Sequence, residues 1–196
     1  MPAGMSPCDG AADTTLMLRV RWGDEFAFAE LYRRYYRKVM SFFYGMNGDA
    51  QMSQDLCQET FLRIWKLRQR YSASGPFPAY VFAFARNVWL EQCRENKKRL
   101  RIGLQLEADE DAQLVAASAS THPDMAAERS ELAQCIFDAL DALPVEQRMA
   151  FVMRTIGGLS LSEIASAMQC PTNTVRSRKL LAINKLREAL KRLLVL

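Results

Sequence analysis

The sequence predicts an all-α protein, with two small helical domains joined by a flexible acidic linker, the C-terminal one a helix-turn-helix. Three observations predict it. Apolar residues recur at i, i+3 and i+4 almost throughout, and no stretch alternates as a strand would. Residues 102–128 contain no Lys or Arg but hold Glu107, Asp109, Glu110, Asp111, Asp124 and Glu128 among Ala and Ser, a composition that cannot bury a core and reads as a spacer. Ser160-x-x-Glu163 is a capping-box pattern; the short helix it opens meets the turn Gln169-Cys170-Pro171 and then a long basic helix.

The elements follow in order. Residues 1–14 are small, polar and Pro/Gly-bearing, the makings of a disordered tail. Asp24 is positioned to cap a helix on which Phe28, Leu31, Tyr32, Tyr35 and Val39 form one face. Asn47-Gly48-Asp49 is a turn with a second capping candidate. Gln51–Tyr71 reads as a helix of about five turns. Ser74-Gly75-Pro76-Phe77-Pro78 breaks it, and a helix with a basic end runs on to Arg101. After the linker, Arg129–Leu143 is helical. Pro144 suits the first position of the next helix, Val145–Ile156, which Gly157-Gly158 ends. The last two helices run from Ser160 through Met168 and from about Thr172 to Leu193. The expected domains are therefore 15–101 and 129–196, with 1–14 as tail and 102–128 as linker. That linker reads either as a solvated spacer or as an anionic strap that mimics nucleic acid in a basic channel.

Composition excludes several classes. The 196 residues are 49% hydrophobic and 24% charged, with a net charge of +4. The five cysteines (Cys8, Cys57, Cys93, Cys135, Cys170) are scattered, and the single histidine, His122, lies in the linker. No metal site of ordinary spacing can be built from them, so no metal and no cofactor are expected. Reduced, mostly buried thiols fit a cytoplasmic protein. There is no signal-peptide pattern and no apolar run near the roughly 20 residues that span a bilayer. No catalytic cluster and no Gly-rich phosphate loop are present, so an all-helical enzyme is the weakest reading.

The chemistry is richest at the C-terminal end. In the expected helix-turn-helix, Ile164, Ala165 and Met168 face Val175, Ala182 and Leu186, and small Ala165 allows a close crossing. The start of the second helix then projects Thr172, Asn173, Arg176, Ser177, and Arg178 or Lys179, where such motifs enter the major groove. Arg and Lys suit guanine edges and Asn suits adenine. Thr174 and the first backbone N–H groups suit phosphate. Between Val175 and Arg192 stand seven basic residues against one acid, Glu188. The helix dipole disfavours cations in that first turn, and DNA phosphates supply the missing anion. A solvated basic helix closing an ordinary bundle is the blander alternative.

A second candidate surface lies on Gln51–Tyr71. Cys57, Thr60, Phe61, Ile64 and Leu67 form an inward stripe. Asp55, Gln58, Glu59, Leu62, Trp65 and Gln69 line the other side. Trp and Leu among acids and amides make a partner-binding patch, unless Trp65 simply packs on a neighbouring helix.

Three segments together resemble a known family. "DLCQETFLRIWKL" (Asp55–Leu67), "PFPAYVFAFARN" (Pro76–Asn87) with Arg94, and "ALDALPVEQRMAF…GGLSLSEIASAMQCPTNTVRSR" resemble, in order and spacing, bacterial sigma factors of the two-domain extracytoplasmic-function group. The resemblance covers about residues 15–194. It implies a non-catalytic RNA polymerase subunit that gives promoter specificity. Asp55, Gln58, Glu59, Leu62 and Trp65 would dock on the β′ clamp helices of core polymerase, and the C-terminal domain would meet the β flap. Phe77, Tyr80, Arg86 and Asn87 would hold a flipped base of the −10 element, with Arg94, Lys97 and Lys98 on the phosphates. Thr172, Asn173, Thr174, Arg176, Ser177, Arg178 and Lys179 would read the −35 element. The linker would thread toward the polymerase active-site channel, and an anti-sigma factor would hold the chain in check. The chain departs from the family's usual pattern at Tyr80-Val81 in place of Trp-Leu, at Gln169 and Asn173 in place of Gly, and in the run Lys179, Leu180, Leu181 and Ile183. The competing reading, a stand-alone helix-turn-helix regulator, leaves the Asp55–Trp65 stripe without a purpose.

Overall fold

A computed structural model of the chain describes residues 12–107 and 131–194. Among the described residues eight helices follow one another: α1 (Asp13–Arg21), α2 (Glu25–Asn47), α3 (Ala50–Lys66), α4 (Phe77–Glu107), α5 (Glu131–Asp141), α6 (Val145–Thr155), α7 (Leu161–Met168) and α8 (Thr172–Leu194), with a 3-10 turn at Arg68–Arg70 between α3 and α4. No strand occurs among the described residues.

Local chemistry sets most of the boundaries. The Ala27 N–H donates to Asp24 at 2.9 Å and the Met52 N–H donates to Asp49 at 2.9 Å, so both aspartates cap as expected. Arg19 pairs with the Asp24 carboxylate at 2.7 Å, locking the α1–α2 corner. Ser160 and Glu163 make both halves of the capping box at the start of α7.

Several expectations shift. Asp13 and Thr14 belong to α1, where a tail was expected; residues 1–11 lie outside the described ones. α3 stops at Lys66, and the chain tightens into the 3-10 turn before Tyr71, which is buried. The break before α4 ends at Pro76. Phe77 and Pro78 are already helical, because the missing Pro N–H falls among the donors that a helix start leaves unpaired anyway. α4 continues past Arg101 to Glu107, since Leu, Gln and Glu propagate a helix well and an absence of cations does not stop one. The rest of the expected linker, and Arg129 with Ser130, lie outside the described residues. α5 ends at Asp141, short of Leu143, and Pro144 caps α6 from an extended backbone (φ −53, ψ 138) one position before the helix.

The two blocks meet in a shared core. α1–α4 contribute Leu16, Val39, Phe42, Phe82 and their neighbours; α6–α8 contribute Met149, Val152, Met153, Ile164 and Val175 to the same apolar cluster. A smaller cluster of Ala139, Leu140, Leu143, Ala182 and Leu186 joins α5 to α8. At the seam α7 packs on α4, and α6 packs on the C-terminal end of α2. Gly45 makes the second contact possible. A Cβ there would lie 2.9 Å from Val152 Cγ1 and 3.0 Å from Ile156 Cδ1. Buried Arg148 donates from Nε to the Gly45 carbonyl at 3.0 Å and pairs with Asp141. It thereby satisfies a last-turn carbonyl and sets a cation at the negative end of the α2 dipole.

Candidate partner and nucleic-acid interfaces

α3 divides as its periodicity requires. Leu56, Cys57, Thr60, Phe61 and Ile64 are buried against α2 and α4. Asp55, Gln58 and Leu62 are exposed on the far side, Leu62 at 51%. Glu59 is half-buried and pairs with Arg63 at 2.6 Å; Arg63 also reaches Glu91 on α4. Trp65 closes the stripe from a half-buried position. One face packs on Phe28 with ring centroids 5.0 Å apart, and the Arg68 guanidinium stacks 4.3 Å from its ring. The packing alternative therefore holds for part of this ring. Leu67, expected inside, is 38% exposed because the helix has already ended. Gln69 is exposed in the 3-10 turn, beyond the stripe.

The Ser72–Pro76 loop is exposed throughout, tightened by the Ser74 N–H donating to the Ser72 carbonyl at 2.7 Å. Beside it the structure corrects one expected contact. Phe77 is only 2% exposed, its ring edge-on to Tyr35 at 5.2 Å, so no face is left for a base. The helix starts one residue before Pro78, which turns Phe77 into the core. Tyr80 is half-buried between Tyr71 (4.9 Å) and Phe84 (5.0 Å), and burial pushes its phenol up to about 12. Asn87 is exposed, and half-buried Arg86 leans toward it with Nη1 at 3.4 Å from Asn87 Oδ1. The Arg86 Nε is buried with no hydrogen-bond partner among the described residues. Arg94, Lys97 and Lys98 are exposed further along α4.

The helix-turn-helix forms as its residue pattern predicts. Ile164, Ala165 and Met168 of α7 and Val175, Ala182 and Leu186 of α8 are all buried. The turn forces Gln169 into the left-handed region at φ 53, where Gly is the usual occupant. The Cys170 N–H donates to the Ala165 carbonyl at 3.1 Å and closes the last turn of α7. Thr172, Asn173, Arg176 and Ser177 project into solvent at the start of α8, whose first turn has no acid. Thr174 and Lys179 are half-buried. Arg178 turns inward, pairing with Glu146 of α6 at 3.0 Å and resting 3.5 Å from Cys170 Sγ. That contact spans helices, so helical spacing alone gave no signal for it.

Cys57 is buried, and burial pushes its thiol up to about 12. Among the described residues no group of three His, Cys, Asp or Glu is placed to hold a metal ion, and no helix is long and apolar enough to cross a membrane.

Comparison with known proteins places these surfaces in context. The pattern of sigma-70 region 2 matches residues 31–99, and that of sigma-70 region 4 matches residues 133–186. The chain is 30% identical to the RNA polymerase sigma-H factor of Pseudomonas aeruginosa, over 93% of this chain and 95% of that one. It is 32% identical to the ECF RNA polymerase sigma-E factor of Escherichia coli, over 85% and 87% of the two chains. In fold it resembles CnrH, solved in complex with the cytosolic domain of CnrY, with a TM-score of 0.67 at 19% identity over 93% and 99% of the chains. It also resembles the sigma factor RpoE of Bartonella quintana, solved with the anti-sigma factor NepR, with a TM-score of 0.64 at 22% identity over 84% and 96%.

Proposed function

Since the chain belongs to the extracytoplasmic-function group of sigma-70-type factors, we propose a division of labour among its surfaces during transcription initiation in the cytoplasm. The exposed Asp55, Gln58 and Leu62, with Glu59 and the solvent-facing edge of Trp65, dock on the β′ clamp helices of core RNA polymerase. The 72–76 loop, Asn87 and Arg86 take an unpaired base of the −10 element, with Tyr80 as the wall of the pocket and Arg94, Lys97 and Lys98 on the backbone. Thr172, Asn173, Arg176 and Ser177 read the −35 element. Thr174, Lys179 and the amides at the α8 start hold its phosphates. Arg178 fixes α8 against α6. The chain performs no catalysis of its own.

The observation that carries this reading is the simultaneous exposure of the α3 stripe and the acid-free start of α8. A DNA-binding regulator needs only the second; a polymerase subunit needs both. The chain also matches folds solved with inhibitory or cytosolic partners, which supports control by an anti-sigma factor. The test is run-off transcription. Core polymerase supplemented with the chain initiates at a discrete start site on promoter DNA that core alone ignores. A footprint on duplex DNA without polymerase, together with no transcription, returns the chain to the class of stand-alone regulators.

A further inference from the structure

Two leucines stand in solvent on α8, one turn beyond the residues given to the −35 element. Leu180 is 56% exposed, more than any other large aliphatic side chain among the described residues, and Leu181 is 48% exposed. An exposed Leu is ordinary in itself. The position of Leu180 is not. Val175, Ala182 and Leu186 form the buried line of α8. Leu180 stands at i+3 from Ser177, i+4 from Arg176 and i+7 from Asn173, all exposed, so the four share the face turned away from that line. Leu181 lies on the flank instead, at i+3 from Arg178, which turns toward Glu146 of α6.

The reach along the helix fits as well. Leu180 is about 6 Å beyond Arg176 and about 12 Å beyond Thr172, and the major groove is about 12 Å wide. A helix that sets Asn173 and Arg176 on base edges therefore carries Leu180 into the same groove. A branched alkyl chain offers nothing to phosphates or to the polar base edges. The groove holds one apolar group for it, the C5-methyl of thymine. The acid nearest this face further along α8 is Glu188, about 12 Å past Leu180 and drawn to Lys191 at 3.6 Å.

We propose that Leu180 reads a thymine methyl group within the −35 element, one helical turn beyond the bases met by Asn173, Arg176 and Ser177. This makes Leu180 a specificity-determining residue of the chain, and it rests on the sigma-factor reading. Contact between the two apolar groups takes both out of water in a groove otherwise read by hydrogen bonds.

The test uses holoenzyme reconstituted from core polymerase and the full chain, bound to duplex promoters that wild-type holoenzyme selects from a random library. Each thymine of the −35 element is replaced in turn by uracil, which removes the C5-methyl and leaves base pairing intact. Wild-type holoenzyme loses about fourfold in affinity at one such position, the worth of burying one methyl group at about 0.8 kcal/mol. Leu180→Ala binds the thymine and uracil duplexes equally at that position, while Leu181→Ala keeps the wild-type preference. Affinity for core is the same in all three chains. Indifference of the wild type to every replacement overturns the inference, as does a −35 element selected without thymine in either strand. A thymine preference that survives in Leu180→Ala at every position also overturns it, and so does one lost equally in Leu181→Ala, which would place the methyl on the flank of the helix. Failure of the wild-type chain to select any promoter defeats the sigma-factor reading itself, and this inference falls with it.

Discussion

Gly45 of α2 and Val152 of α6 approach so closely that a single added methyl would sit 2.9 Å from Val152 Cγ1. Gly inside a helix costs about 1 kcal/mol relative to Ala, so α2 alone would be better with Ala. The seam between the blocks requires the opposite. Gly45→Ala is expected to lower unfolding stability by about 1 kcal/mol net, because overpacking typically costs about 1–3 kcal/mol. Adding Val152→Ala relieves the clash, giving a favourable coupling in a double-mutant cycle read by urea denaturation. Additive effects would mean the seam does not hold in solution.

Arg148 and Asp141 pair across very different environments: the arginine side chain is 7% exposed and the aspartate 59%. Arg148→Ala strands the Gly45 carbonyl and empties a buried site, and is expected to cost about 2 kcal/mol or more. Asp141→Asn removes only the exposed half of the pair and is expected to cost less than about 1 kcal/mol. Equal losses in thermal denaturation would assign the arginine to a surface pair.

Acid sensitivity follows from two carboxylates. Hydrogen bonds from Arg33 and Arg34 hold Glu30 below its ordinary 4.5. The Ala27 N–H, aided by Arg19, holds Asp24 below its ordinary 3.8, against the upward push of partial burial. Both folded-state values are depressed, so the stability they add is present above the ordinary values and lost as pH falls through the lower folded ones. Melting temperature should therefore begin to drop as pH falls through the ordinary carboxylate values and go on dropping through the lower folded ones. Glu30→Gln should be less stable than wild type at pH 7 and converge with it at the acid end. A constant gap across the range would remove Glu30 from the linkage.

Arg176 is exposed, whereas Arg178, two residues on, pairs with Glu146. Arg176→Ala is expected to weaken promoter binding by about 1–3 kcal/mol, mainly through the upstream element. Arg178→Ala is expected to act first on stability, through Glu146, and less on DNA. A loss for Arg176→Ala that is uniform over random duplexes would make it a phosphate contact.

The sequence revealed features governed by neighbours three or four residues away. The caps at Asp24, Asp49 and Ser160, the inner and outer faces of α3 and the crossing of α7 with α8 all depend on local spacing. Hidden features depended on distant contacts. Phe77 looked available for a base because its burial depends on Tyr35 of α2. Arg178 looked like a DNA reader because its partner is Glu146. Gly45 gave no local sign of its role, since nothing near it in sequence announces Val152.

The measurement that tests the account most directly is the affinity of the purified full chain for bacterial core RNA polymerase, with Leu62→Asp alongside. Leu62 lies in the middle of the α3 stripe and is exposed, so its replacement leaves the circular dichroism spectrum unchanged. The account predicts tight association for the wild type and loss of at least tenfold in affinity for Leu62→Asp, the scale of a central interface contact at about 2 kcal/mol. A wild-type chain that does not bind core, or a Leu62→Asp chain that binds as well as wild type, would contradict it.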